Sequence, residues 1–383
     1  MTTAELALLT QKILWAAFVA SAAFGALVQR TGFCTMGAVS DAYALGDFTR
    51  LRQWGLAAAT ATLGFAALAG SGLVSAPQTL YASSRWLWLS ALVGGSMFGF
   101  GMVLASGCVS KTLVRIGGGN LKSLVVALLT GVVAFATLKG VTAVLRVKTV
   151  DRAAWDLGVN ADLGTLAAQW TGWAPAMSAL VAGLAVGGGL LVWALAQAEA
   201  RRPASLLAGI GVGLLVLAMW WITGHWGHLA EHPETLQETW LATNSTRAEA
   251  LSFVSPVAYG LDWVMFFSDA NKRLTVGIVS VLGVVCGSAA MSVSRGSFRW
   301  EGFGGTSDLG HHLVGAVLMG AGGVTAFGCS IGQGVSGLST LSLMSFVATG
   351  AMVAGAVGGL KYQMWHMDRQ DRIAARQPAM RPS

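Results

Sequence analysis

The chain is short of charge. Lys, Arg, Asp and Glu make up only 11% of its 383 residues, less than half the share of about 25% that covers a soluble globular protein. A water-facing surface of that size cannot be clothed with so few charges, which excludes a string of soluble domains. Proline is scarce as well, 7 residues against 51 glycines; that excludes collagen and Pro-rich disorder and suits helices packed at close range. Four cysteines are far too few for a disulfide scaffold. Gly117–Gly118–Gly119–Asn120 lacks the Gly–Lys–Ser/Thr ending of a phosphate-binding loop, so direct use of ATP is not expected. No cysteine stands near a second that could resolve it, so no catalytic residue is assigned and no enzyme is expected.

What remains is apolar: 54% of the chain is hydrophobic. Crossing a bilayer takes about 20 mostly apolar residues, because every backbone N–H and C=O must be satisfied within the segment. Nine stretches qualify, near 13–29, 53–74, 86–106, 123–146, 174–197, 204–224, 274–290, 310–327 and 340–361. The shorter run 253–267, with Pro256 and Asp262, reads as interfacial or re-entrant. The first stretch follows Glu5 and little positive charge, so it is expected to stay as a span rather than act as a leader. Arg30, Arg50 and Arg52, then Lys111, Arg115 and Lys122, then Arg201 and Arg202, then Lys361 to Arg381 fall on one side of such a bundle. The positive-inside rule puts that side in the cytoplasm and the N-terminus outside; Arg146, Lys148 and Arg152 run against it. The formal charge of +7 is met by anionic lipid headgroups and calls for no nucleic acid.

The two ends of the chain repeat one another. Gly99–Phe100–Gly101 leads to Ser106–Gly107–Cys108, a glycine-rich loop and Thr130–Gly131; Gly320–Ala321–Gly322 leads to Phe327–Gly328–Cys329, a glycine-rich loop and Thr349–Gly350. A weaker match sets Arg30–Thr31–Gly32–Phe33–Cys34 against Arg295–Gly296–Ser297–Phe298–Arg299. Paired broken helices in two halves of a membrane protein point to a substrate site near the midplane. Counting spans puts the Cys108 loop inside and the Cys329 loop outside, as inverted copies require, whereas the Cys34/Arg299 pair does not invert. The expected fold is an all-α integral membrane protein of about nine transmembrane helices plus short re-entrant helices, in two pseudo-symmetric halves. A single polytopic domain spans 1–383, with an N-terminal repeat half at 12–150, connecting helices and loop at 174–267, a C-terminal repeat half at 274–361 and a basic cytoplasmic tail at 362–383.

Cys34, Cys108 and Cys329 each stand beside glycine and a small hydroxyl residue. Cys286, in an apolar run, reads as packing. Thiols are weak donors and polarisable partners, so a sulfur-bearing anion passed between loose contacts is a natural cargo. Soft metal ions are the rival, although no Cys-x-x-Cys and no His or Met set accompanies these positions; no metal site or cofactor is assigned. Helix N-termini would add positive potential, and Lys111, Arg115, Arg295 and Arg299 are candidates for attracting an anion at the mouths. The histidines at 225, 228 and 232 read as a solvated face, Lys139 as a lipid anchor, and Asp41 as a helix cap or an organiser of the first loop.

Gly32–Phe33–Cys34–Thr35 through Asp41, Ala105–Ser106–Gly107–Cys108, and Gly328–Cys329–Ser330–Ile331–Gly332–Gln333–Gly334 resemble the signature of the YeeE/YedE family of bacterial sulfur transporters. The resemblance implies an hourglass-shaped bundle in the bacterial inner membrane whose cysteine loops meet at the waist. It implies uptake of thiosulfate or a related sulfur anion, handed inward through S–H···S contacts at Cys34, Cys108 and Cys329. It also implies a small sulfurtransferase-like partner in the cytoplasm. Other sulfur or selenium species, and a soft metal ion, remain as alternative cargoes. The polar segments 147–173 and 225–252 depart from the pattern and carry no expected role.

Overall fold

A chain with no water around its backbone must close its hydrogen bonds within each segment, and in an all-helical protein that makes helices of whatever crosses the lipid. The computed structural model describes residues 2–376 except Glu234 and Ala270; Arg381, in the expected basic tail, lies outside the described residues. The helices in chain order are α1 (Thr3–Thr31), α2 (Thr35–Ser40), α3 (Thr49–Gly70), α4 (Trp88–Leu104), α5 (Val109–Gly117), α6 (Leu121–Lys139), α7 (Val141–Lys148), α8 (Leu163–Thr171), α9 (Pro175–Leu195), α10 (Pro203–Trp221), α11 (Val254–Met265), α12 (Val276–Ser294), α13 (Thr306–Thr325) and α14 (Leu343–Arg376).

Among the described residues, seven helical stretches are long and apolar enough to cross a membrane: Ala4–Leu45, Trp88–Gly117, Leu121–Lys139, Pro175–Leu195, Pro203–Trp226, Val276–Ser294 and Leu343–Arg372. The expected nine therefore become seven on this criterion. The other two positions are helices as well, α3 and α13, but they are less apolar. α3 is made largely of Ala, Gly and Thr and is buried from Gly55 to Ala59 between neighbours, while α13 opens with Asp308, His311 and His312. α3, sheathed by other helices, has little lipid to match, whereas α13 keeps Val314 and Val317 exposed on one face. α11 is 12 residues long, about 18 Å at 1.5 Å per residue, too short for a hydrocarbon layer of about 30 Å.

Glycines let the repeat helices touch at backbone distance. α4 and α13 cross antiparallel: Gly94 lies on the backbone of Ala326 at one end, and Gly101 on Gly315 and Met319 at the other. Gly99 of α4 rests on the Met352 carbonyl of α14, and Gly320 of α13 on the Thr130 carbonyl of α6. The helix before each cysteine thus packs on the helix that follows the other cysteine. α1 and α12, which carry the weaker match, instead run parallel. Gly287 sits on Ala22, and Gln29 Nε2 donates to Ser292 Oγ at 2.8 Å.

The two polar segments cover one end of the bundle. β1 (Arg85–Trp86) pairs with β2 (Trp155–Asp156), and β3 (His228–Leu229) with β4 (Thr239–Trp240), both antiparallel. Asp162 caps α8 by accepting from Thr165 N at 2.8 Å. Around it, Leu163 N donates to Leu341 O and Leu343 N to Ala161 O. Segment 147–173 is thereby stitched onto the loop that follows Cys329.

Candidate functional site

The helix breaks before Cys108 and Cys329 are built alike. Ser106 and Phe327 take φ of 57° and 58°, a left-handed C-terminal cap in which Gly107 N closes on Met102 O and Gly328 N on Gly323 O. The chain then turns back into the protein. Residues 328–342 are buried throughout, whereas Lys111 and Arg115, on the equivalent stretch after Cys108, keep partial exposure.

Each of the three thiols stands at the start of a short helical segment, where side chains accept the first free N–H groups. Cys34 Sγ accepts from Gly37 N at 3.4 Å as the cap of α2, and Cys329 Sγ from Gly332 N at 3.4 Å. Cys108 is the N-cap residue of α5, and its Sγ lies 3.2 Å from Ser110 Oγ. Sulfur, large and polarisable, takes the place an oxygen usually fills. The cysteines also converge: Cys108 is within electrostatic reach of both the Cys34 and the Cys329 thiol.

On one side of the thiols lies positive charge. Lys111 is within electrostatic reach of Cys34, Cys108, Arg115 and Arg50. Arg50 pairs with Asp41 at 3.3 Å and lies over Gly37, which makes Asp41 the organiser of the first loop. Beyond Arg115 a cavity of about 360 Å³ is lined by polar groups including Gln29, Asn120, Lys122, Asp308 and His312; Lys122 bridges to Asp308 at 2.9 Å. Arg295 and Arg299 stay exposed. Arg295 reaches the Arg30 carbonyl at 3.5 Å, and the Arg299 backbone pairs with Gly118, so neither is brought to the thiols.

The other side is closed by hydrogen bonds that sequence reasoning missed. Gln333 Nε2 donates to Ala326 O at 2.6 Å, and its Oε1 accepts from Ser345 Oγ at 2.6 Å. Tyr81 donates to Gly332 O at 2.6 Å, Ser336 to Leu251 O at 2.8 Å, and Trp220 Nε1 to Ser339 Oγ at 3.0 Å. The available signal was the density of Ser, Thr and Gln between residues 330 and 345, unusual for a stretch at membrane depth.

Just outside this plug Glu249 accepts from Asn244 N at 3.0 Å and Ser245 N at 2.7 Å. Burial holds its carboxyl above the ordinary value of 4.5. A carboxyl raised on folding binds its proton longer in the native state, so stability falls as pH rises from about 4.5 through the folded pKa. Glu249→Gln keeps an acceptor without the charge. We expect its Tm to match wild type at pH 4 and exceed it by a few degrees at pH 8, read by fluorimetry in detergent; identical curves would mean the carboxylate is not penalised.

Elsewhere, His225 stacks on Trp221, His228 pairs with Glu238 at 2.7 Å, and Cys286 is exposed. Among the described residues no three His, Cys, Asp or Glu side chains gather to hold a metal.

Comparison with known proteins places these features in a family. Residues 30–358 match the family described as sulphur transport. The chain is 26% identical to the thiosulfate transporter TsuA of Escherichia coli K12 over 343 residues, covering 88% of this chain and 91% of that protein. It is 25% identical to the thiosulfate transporter TsuA of Spirochaeta thermophila over 355 residues, covering 90% and 97%.

Proposed function

The chain belongs to the sulphur transport family, and from that premise we propose that it carries thiosulfate, or a closely related sulfur anion, inward across the bacterial inner membrane. It is a transporter and not an enzyme. The observation that carries the cargo reading is the convergence of three thiols, with Cys108 between Cys34 and Cys329. A polarisable S–H meets a soft terminal sulfur well and releases it readily, as conduction demands. Lys111, Arg115 and Arg50 lie on the cytoplasmic side of this constriction and draw the anion on after it passes. Arg295 and Arg299 act further out, through the potential of the cytoplasmic face alone. The wet cavity beyond Arg115 is the exit, where a sulfurtransferase-like protein would collect the cargo.

The reading is tested with labelled thiosulfate in proteoliposomes of the purified chain. Uptake by wild type supports the cargo, while its absence from correctly inserted protein would move the assignment to another sulfur or selenium species. In the same assay Lys111→Gln is expected to lower uptake at subsaturating thiosulfate by about tenfold and to flatten its dependence on ionic strength. Unchanged salt dependence would remove Lys111 from the path.

A further inference from the structure

A small cavity of about 80 Å³ lies between α2, α3, α4 and α14, beside the thiols. Four of its lining residues are Thr35, Trp54, Ser330 and Thr349. The hydroxyl oxygens of Thr35, Ser330 and Thr349 and the indole nitrogen of Trp54 are all buried without a hydrogen-bond partner. Buried polar groups are nearly always paired. Among the described residues ten such side-chain atoms are left over, and four of them fall on this one cavity, so the cluster asks for a ligand rather than for separate explanations.

The chemistry of the set identifies the class of ligand. Indole N–H only donates, and hydroxyls donate freely; the rest of the wall is apolar side chains and glycine, with no carboxylate. Four groups able to donate, one of them donor-only, with no carboxylate beside them, suit an oxyanion better than a cation. The volume suffices for a small polyatomic group, since one water needs about 10–15 Å³ on a comparable measure. Placement ties the cavity to the pore: Thr35 follows Cys34 and Ser330 follows Cys329.

We propose that Thr35, Trp54, Ser330 and Thr349 bind the oxygen end of the transported anion, its SO3 group, while the sulfur end reaches Cys34 and Cys108. This deepens the sulfur-anion reading and rests on it. The division of labour makes the site select on both ends at once, soft sulfur by the thiols and oxygens by neutral donors. Neutral donors hold a dianion more loosely than arginines would, which keeps it moving.

The test uses the full chain in nanodiscs and two probes, thiosulfate and methanesulfonate, the second having the SO3 end without the terminal sulfur. Wild type is expected to bind both. Thr35→Val, Ser330→Ala and Thr349→Val should each weaken both by about five- to tenfold, the loss of one donor, and raise KM for thiosulfate uptake by the same factor. Thr35→Ser should restore binding. A merely structural hydroxyl would lower Tm when removed; removing an unpaired one is expected to leave Tm unchanged or higher. The proposal is overturned if folded wild type fails to bind methanesulfonate, or if the variants keep wild-type affinity for both probes. Methanesulfonate binding that the variants lose, in a chain that takes up no thiosulfate, would keep the oxyanion site and refute the cargo.

Discussion

Cys108→Ala is expected to abolish growth on thiosulfate as sole sulfur source when it replaces wild type in a bacterium lacking its own thiosulfate uptake, at matched membrane levels. Cys108 is the thiol within electrostatic reach of both Cys34 and Cys329, so in the proposed relay its loss breaks the series in the middle. Alanine leaves Ser110 without its sulfur neighbour at 3.2 Å and, in the proposed relay, the cargo without a soft partner between Cys34 and Cys329. An unmet contact in a dry constriction costs about 1–3 kcal/mol, and loss of the relay on both sides doubles that to about 2–6 kcal/mol, so uptake should drop by at least about thirtyfold. Cys108→Ser retains a donor but not polarisability and is expected to fall between the two. Cys286→Ala, on the exposed face of α12, should transport like wild type. Rescue surviving in Cys108→Ala would keep the cargo and end the idea of an essential thiol relay.

Gly99→Val is expected to remove the folded protein altogether. A Cβ at Gly99 would stand 2.0 Å from the Met352 carbonyl oxygen and 2.8 Å from its carbon. Both are backbone atoms of α14, so no rotamer change relieves the clash. Relief requires α4 and α14 to separate, and with them the helix that leads to Cys108 and the one that follows Cys329. Overpacking ordinarily costs about 1–3 kcal/mol; a rigid backbone contact at the centre of the repeat should exceed that range. Gly188→Val on α9 provides the control, since nothing lies within 4 Å of its added Cβ. Size-exclusion profiles and Tm in detergent should show Gly188→Val near wild type and Gly99→Val absent or aggregated. Comparable behaviour of the two would mean that α4 and α14 do not approach as described.

Much of the site could be read along the chain. The Gly–Cys breaks at Cys108 and Cys329 repeat in sequence, and the structure gives both the same left-handed turn at Ser106 and Phe327. Glycines four residues apart at 95/99, 183/187, 209/213 and 355/359 each meet a neighbouring helix. Arg295 and Arg299 looked equal to Lys111 and Arg115, yet backbone pairing at Gly118 carries Arg299 away from the thiols. Arg50 was read only as a cytoplasmic-side charge and Trp54 not at all, because nothing near them in sequence shows that α3 passes beside Cys34. The polar segments, unreadable alone, gain their role only by pairing with residues far off, as when Asp162 bridges to Ser342.

By itself, the sequence determined that the chain lives in a membrane, that its elements are helices, and that three cysteines stand at breaks in them. Those features answer to the local demands of lipid on every backbone group and of glycine on every turn, and local demands are written residue by residue. Tertiary structure alone decided that α3 is sheathed, that α1 and α12 run parallel, that Cys108 lies within reach of both other thiols, and that four unpaired donors share one cavity. Each of these depends on which helix faces come within a few ångströms of each other. Backbone approach across glycines fixes that, between residues two hundred or more apart in several cases, and no pattern along a single helix records it.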